Sequence, residues 1–207
     1  MSTTIQSLRN EFIRRQQASP SPPSSHFVPA DAIAALIRFS SVKSVLEELR
    51  VSGHDVDWYT QYILTSAMKI FAILVYIGEV NEICRLLEEG FSDLSLPLCL
   101  NTDSTTSFPD GVQTVNGSVS TVSQWTLAAR RDFQQCQWMF LSPFFDTVGQ
   151  HMELDDHCVL PFIDEEVIRS EEGRTTILAV KIHRAHQRLC KPYGVCTSSY
   201  PLHRSPF

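Results

Sequence analysis

The apolar run at residues 67–77 is the feature that most constrains the fold. Lys69 is its only charged residue. A helix needs about 20 apolar residues to cross a bilayer, so this shorter run predicts a buried helix rather than a membrane anchor. Because apolar side chains cover nearly all sides of residues 70–77, we expect this helix at the centre of a bundle.

Apolar residues at helical spacing predict further helices on both sides of this run. Ser40 and Ser41 are expected to cap the helix that follows them, and Gly53 to close it. Gly78 and Gly90 are expected to end two later helices, since glycine favours the left-handed conformation common at helix ends. The expected helices cover residues 1–16, 32–37, 42–49, 57–77, 79–89 and 124–141.

Three polar segments separate or flank these helices. Residues 17–29 contain four prolines and four serines, which is typical of a mobile linker. Residues 101–123 are rich in serine and threonine, and we expect a disordered loop there. The tail at 188–207 has no periodicity and is expected to be disordered.

A β-hairpin is predicted near the end of the chain. Two β-rich runs, 160–169 and 175–183, flank a polar turn that contains Gly173, and a shorter β-like piece lies at 151–154. The predicted fold is mainly α, α+β overall, with a bundle of about five helices followed by a small antiparallel hairpin. The predicted regions are a mobile segment with its linker at 1–29, a helical domain at 30–148, the hairpin at 149–187 and the tail at 188–207.

The hairpin contains the two weak candidates for cofactor binding, Gly173 and Lys181. Ala-Val-Lys-Ile around Lys181 is similar to the strand that holds the ATP lysine of protein kinases. A phosphate-binding turn needs several glycines, whereas this turn has one glycine beside Glu171 and Glu172, whose carboxylates repel phosphate. The catalytic His-Arg-Asp and Asp-Phe-Gly motifs are absent. We therefore expect no catalytic residue and no cofactor.

Two further groups have metal-ligand residue types. His183 and His186 are spaced to share a helical face, but a metal needs more ligands, so a polar turn is the expected structure. Residues 155–158, Asp-Asp-His-Cys, are adjacent and cannot all face one ion. We expect no metal site. The three tryptophans are expected in the core.

The net charge and the N-terminal sequence limit which partners and which cellular compartment we expect. The net charge of −6 argues against general affinity for nucleic acid. Residues 174–207 carry six basic side chains and no acidic one, so this basic C-terminal region is a candidate for docking on an acidic partner. The chain starts without the apolar segment of a signal peptide, which predicts an intracellular protein, cytoplasmic or nuclear, with six free cysteines.

Five stretches together resemble the N-terminal region of filamentous-fungal proteins that carry a protein-kinase domain. They are residues 27–32, 57–59, 69–78, 137–145 and 153–187, so the resemblance covers roughly 27–187. It implies a helical segment followed by the first two strands of a kinase-like lobe. The ATP lysine, catalytic aspartate and metal ligands of that family have no counterpart position here.

These features predict a non-catalytic protein related to fungal kinases, a helical regulatory or interaction module with a remnant kinase-lobe hairpin. One alternative is a truncated gene fragment of a serine/threonine kinase without independent function. Another is a binding module that recruits a protein partner through the hairpin or the basic tail.

Overall fold

The computed structural model describes residues 3–98, 112–114, 117–119, 125–146, 152–171, 175–188 and 200–202. Within them the predicted fold class, mainly α and α+β overall, is confirmed. The helices are α1 Thr4–Arg15, α2 Ala30–Leu36, α3 Phe39–Glu48, α4 Gly53–Ser66, α5 Met68–Ile77, α6 Ile83–Glu88 and α7 Leu127–Cys136. The strands are β1 Gln17–Ser19, β2 Ser25–Phe27, β3 Val112–Thr114, β4 Gly117–Val119, β5 Phe162–Glu171, β6 Thr175–Ile182 and β7 Tyr200–Leu202.

Helix α5 lies at the centre of the helical part, as its apolar sequence predicts. All six residues from Ile70 to Val75 are buried. Helices α1, α2, α4, α6 and α7 pack around it, and most of the buried apolar side chains form one continuous core. Burial of a large apolar side chain stabilises a fold by about 1.5–3 kcal/mol, so this helix contributes substantially to core stability.

The long helix expected at 57–77 is instead two helices that meet at Ala67 with a bend of 105°. Asp93 lies at this break, against the first turn of α5. Its carboxylate accepts hydrogen bonds from the backbone N–H groups of Lys69 at 3.0 Å and Ile70 at 3.1 Å. These N–H groups at the start of α5 thus have a side-chain partner in place of the carbonyls of α4. Because that partner comes from 24 residues further along the chain, the sequence of 57–77 does not show it.

Ser41 lies in the first turn of α3, where its hydroxyl accepts from the backbone N–H of Arg38 at 2.8 Å.

The turn between α3 and α4 differs from its prediction. Helix α3 ends at Glu48, Arg50 takes the left-handed conformation with φ of 60°, and Gly53 begins α4 rather than closing α3. The two helices therefore follow each other with a four-residue link at 49–52.

The expected glycine ends of the later helices are confirmed. Gly78 has φ of 88° at the end of α5, and Gly90 has φ of 83° after α6. The helix expected at 79–89 is shorter than predicted, because a 3-10 turn at Val80–Glu82 precedes α6. Similarly, the helix expected at 124–141 is α7 followed by a 3-10 turn at Gln137–Met139.

The segment expected to be a mobile linker forms a small hairpin instead. Strands β1 and β2 pair antiparallel, with Gln17 opposite Phe27. Ser19 and Ser21 are buried, and the hydroxyl of Ser25 donates to the carbonyl of Pro22 at 2.7 Å. The serines therefore supply hydrogen bonds inside a turn, where their high frequency had suggested a solvated linker.

The predicted hairpin of β5 and β6 is present, and β7 from the tail pairs with β6 to make a three-stranded sheet. Residues Tyr200–Leu202, in the tail that was expected to be disordered, form this strand, and most of the tail lies outside the described residues. Residues 152–154 contain no strand, unlike the expectation for 151–154. In the loop expected at 101–123, β3 and β4 pair antiparallel, and its other positions lie outside the described residues.

Candidate functional site

The base of the β5–β6 hairpin forms part of a second, small apolar cluster. Its buried residues are Phe145, Leu160 and Phe162, and its partly buried neighbours are Leu154, Cys158, Val180 and Ile182. Alternation along β6 turns Val180 and Ile182 toward this cluster, and Phe162 pairs with Ile182. The hairpin is thus attached to the body at one end.

Lys181 lies on the opposite, outward face of β6. It is exposed and pairs across the hairpin with Asp164, which is exposed as well. Opposite charges at such a cross-strand position attract each other weakly. Gly173, the other candidate for cofactor binding, lies outside the described residues.

The exposure of the side chains increases along β5 away from the base of the hairpin. Phe162 at the base is 1% exposed, whereas Val167 is 59% and Ile168 is 62% exposed. Leu178, opposite Val167, is half-buried. These three residues define what we call the hairpin tip, and they leave a group of apolar side chains uncovered.

Strand β5 has an irregular outer edge. Its register against β6 shifts between Phe162 and Asp164 and again between Val167 and Arg169, so Ile163 and Ile168 have no opposite residue on β6. Bulges and charged residues hinder the addition of another strand. Strand β7 covers part of the other edge of the hairpin. These features hinder the addition of a further strand to the hairpin.

Hydrogen bonds from the N-terminal hairpin hold this base in place. The hydroxyl of Ser19 donates to the carbonyl of Leu160 at 2.6 Å, and the N–H of Leu160 donates to the carbonyl of Ser21 at 3.1 Å. Nearby, the hydroxyl of Ser142 donates to the carbonyl of Val159 at 2.7 Å. None of these serines was singled out as a site from the sequence, because each partner is far along the chain.

His186 is the most constrained polar side chain beside the hairpin. It is 4% exposed. Its Nε2 lies 3.1 Å from the backbone nitrogen of Ala30, and its Nδ1 lies 3.1 Å from the carbonyl oxygen of Pro143. Burial lowers the pKa of His186 below its ordinary value, and the nearby His183 and Lys69 lower it further.

His183 and His186 do not form a metal-binding pair. Both nitrogens of His186 are engaged by the backbone, and Nδ1 of His183 accepts from the N–H of Ala185 at 3.2 Å. The ring of Phe27 meets both imidazoles edge-on, at 5.7 Å and 5.6 Å between centroids. Burial also lowers the pKa of His183. The expected polar turn is present as a 3-10 turn at Arg184–His186.

The Asp155–Cys158 group forms a turn. One carboxylate oxygen of Asp155 accepts from the N–H of His157 at 2.8 Å, and the N–H of Cys158 donates to the carbonyl of Asp155 at 2.9 Å. The His157 ring stacks on Trp138 at 5.6 Å. Among the described residues no group of three or more metal-ligating side chains is present.

The tryptophans differ from their prediction. Trp125 is buried and packs beside Phe133, but Trp58 is exposed on α4 and lies against Tyr59 and Tyr62. The indole of Trp58 therefore belongs to the surface, because α4 turns Tyr59 and Ile63 toward the core instead. The expectation that all three tryptophans lie in the core is therefore wrong at Trp58, and Trp138 is only half-buried.

Searches against protein-family models, curated proteins and solved structures find no match for this chain. In the part of the chain that the structure describes, no single helix is long and apolar enough to cross a membrane, and the one helix pair that passes by length and composition, α4 and α5, is sharply bent. Cys84, Cys136 and Cys158 are free thiols.

Proposed function

We propose that this chain is a non-catalytic interaction module related to fungal protein kinases, in which the helical body presents the β5–β6 hairpin to a protein partner. The observation that carries the proposal is the exposure of the hairpin tip. Scattered exposed apolar residues are common on proteins, but a group of neighbouring ones is typical of a binding surface.

The charge of the hairpin favours a particular chemistry in the partner. Asp164, Glu165 and Glu166 precede the tip on β5. An acidic stretch beside an apolar tip complements a surface that has an apolar patch with basic residues at its border. Because the outer edge of β5 is bulged, contact is expected through side chains rather than through added backbone pairing.

The position of Lys181 supports the non-catalytic part of the proposal. A kinase lysine holds ATP phosphates beneath a glycine-rich loop. Here Lys181 lies on an exposed face of β6, and the strand register places Asp164 directly opposite it on β5. The relation to kinases itself rests on the sequence resemblance of residues 27–187.

The free thiols support an intracellular location as part of the same proposal. Secreted proteins commonly oxidise their cysteines to disulfides, whereas reduced thiols are usual in the cytoplasm and nucleus. Burial raises the pKa of Cys158 to about 11, and it raises the pKa of Cys84 to about 11 as well. Thiols with these values stay protonated and inert at neutral pH.

The test compares variants at exposed apolar residues of the hairpin and of the helical part. We expect Val167→Asp combined with Ile168→Asp to reduce the capture of bound proteins by about tenfold or more, since a carboxylate cannot enter an apolar contact. Leu94→Asp is the control, because Leu94 is 88% exposed but lies away from the hairpin, after α6. Quantitative mass spectrometry of proteins captured by each tagged variant gives the comparison.

Equal capture by the hairpin variant and the wild type would contradict the proposed binding surface. A thermal-shift measurement with Mg-ATP tests the other half of the proposal. We expect no rise in Tm, because Lys181 lacks a phosphate-binding loop. A concentration-dependent rise that Lys181→Ala removes would contradict the non-catalytic assignment.

A further inference from the structure

His186 lies where three separate segments of the chain meet. Its imidazole contacts the first residue of α2, Ala30, and the carbonyl of Pro143. Its own carbonyl accepts from the N–H of Phe145 at 2.8 Å, and the N–H of Arg188 donates to the carbonyl of Phe145 at 2.8 Å. One residue therefore connects the end of the β5–β6 hairpin to the helical body on two sides.

The backbone partners of His186 fix its protonation state. The N–H of Ala30 can only donate, so Nε2 must be the unprotonated, accepting nitrogen. The carbonyl of Pro143 can only accept, so Nδ1 must carry the hydrogen. Only the neutral Nδ1-H tautomer satisfies both contacts. A proton added at Nε2 would place two donors against each other in a buried site.

The charged groups around His186 oppose its protonation on balance. His183 lies on its own turn, and Lys69 reaches toward it from α5. Asp31 on α2 acts in the other direction, but Arg184 lies 4.0 Å from that carboxylate. Phe27 from β2 and Phe144 contribute only aromatic rings, and the guanidinium of Arg188 lies over Phe144. The site therefore favours the neutral ring.

We propose that His186 is an acid-sensitive latch that holds the base of the β5–β6 hairpin against the helical body. In its neutral form the ring joins Ala30 to Pro143 and keeps the strand-like bridge between Phe145 and Gln187 in place. Protonation breaks the contact with Ala30, and the imidazolium leaves the site for water. The Ser19–Leu160 bond stays, so the hairpin loosens at one side without separating.

The direction of the effect follows from the lowered pKa of His186. The unfolded chain, with an ordinary value of 6.5, takes up the proton before the latched form does. The latch therefore stabilises the closed form fully above about pH 6.5. This stabilisation decreases as the pH falls from there to the lowered pKa, by about tenfold in the opening equilibrium for each unit of the shift.

Hydrogen–deuterium exchange of the intact protein tests the latch. After correction for intrinsic rates, we expect the amides of Ala30, Phe145 and Arg188 to exchange about tenfold faster at about pH 5 than at about pH 7.5. His186→Gln, whose side-chain oxygen accepts a hydrogen bond without titrating, is expected to remove the pH dependence. His183→Gln is the matched control and is expected to keep it.

Corrected exchange that is independent of pH in the wild type, or a pH dependence that persists in His186→Gln, would overturn the latch. A second measurement uses the wild type alone, so the test does not depend on whether a variant folds. Imidazole nitrogen chemical shifts are expected to show the Nδ1-H tautomer and a titration below 6.5 for His186. The Nε2-H tautomer, or a titration above 6.5, would likewise overturn the proposal.

Discussion

Helix α5 and the hairpin tip both consist of large apolar residues, yet their surroundings are opposite. Residues Ile70 to Val75 are buried because five helices pack around α5. The tip is exposed because the second cluster covers only the base of the hairpin, at Phe162. The comparison teaches that an apolar run becomes core only where the rest of the chain supplies elements to cover it.

The largest expected difference between the two regions comes from a charge placed in each. Leu74→Asp buries an unpaired carboxylate at the centre of α5, and we expect it to lower the free energy of unfolding by about 4 kcal/mol or more. Val167→Asp places the same group in water and is expected to change it by about 0.5 kcal/mol or less. Urea denaturation measures both, and similar losses in the two variants would contradict the assignment of core and tip.

A smaller effect is expected at the break between α4 and α5. Asp93→Ala removes the acceptor for the N–H groups of Lys69 and Ile70, and we expect a loss of about 1–2 kcal/mol in the free energy of unfolding. Asp93→Asn keeps one accepting oxygen and is expected to lose less. Equal stability of the alanine variant and the wild type would show that Asp93 does not fix the bend.

The pH dependence at Asp93 has a definite sign. Burial raises the pKa of its carboxyl, and the hydrogen bonds from Lys69 and Ile70 only partly oppose this. The folded state therefore binds the proton more readily than the unfolded state does, and this site adds stability as the pH falls toward 3.8. The contribution of this site to the pH dependence of the free energy of unfolding should disappear in Asp93→Asn, because asparagine does not titrate.

The smallest expected effect concerns two thiols with the same pKa in the two regions. Cys84 packs on the helical core and Cys158 on the hairpin cluster, each with a pKa of about 11. At about pH 8 only about a thousandth of either is thiolate, so both should react slowly with iodoacetamide. We expect Cys158 to react a few-fold faster, because the smaller cluster opens more often.

Denaturation in urea provides the control for the thiols, since both should then react at about the same rate. Faster labelling of Cys84 than of Cys158 in the folded protein would contradict the expectation that the hairpin cluster opens more often than the helical core. Mass spectrometry of the labelled peptides separates the two sites.

The features that could be predicted from the sequence are those with local causes. Glycines at 78 and 90 end helices through their own backbone freedom, and the apolar pattern of 67–77 marks α5 as buried. The start of α5 at the bend pairs with Asp93, and the fold of 17–27 depends on Leu160. Neither partner is near in sequence, so spacing and composition could not reveal them.

The same reason explains what could be predicted of the candidate site. The pair His183 and His186 was noticed from its spacing, but the groups that fix the role of His186, at Ala30 and Pro143, lie 156 and 43 residues away. Lys181 was recognised from its strand sequence, whereas its outward orientation follows from the register with β5. Residue types were visible in the sequence, and their partners were not.

The bond between Ser19 and Leu160 has a consequence for biosynthesis. The two residues are 141 positions apart, so the small N-terminal hairpin cannot complete its contacts until Leu160 has left the ribosome. At typical elongation rates the synthesis of this stretch takes roughly 10–30 s, during which β1 and β2 can pair with each other but Ser19 lacks its acceptor. The contacts that hold β1 and β2 against the base of the β5–β6 hairpin are therefore completed late in synthesis.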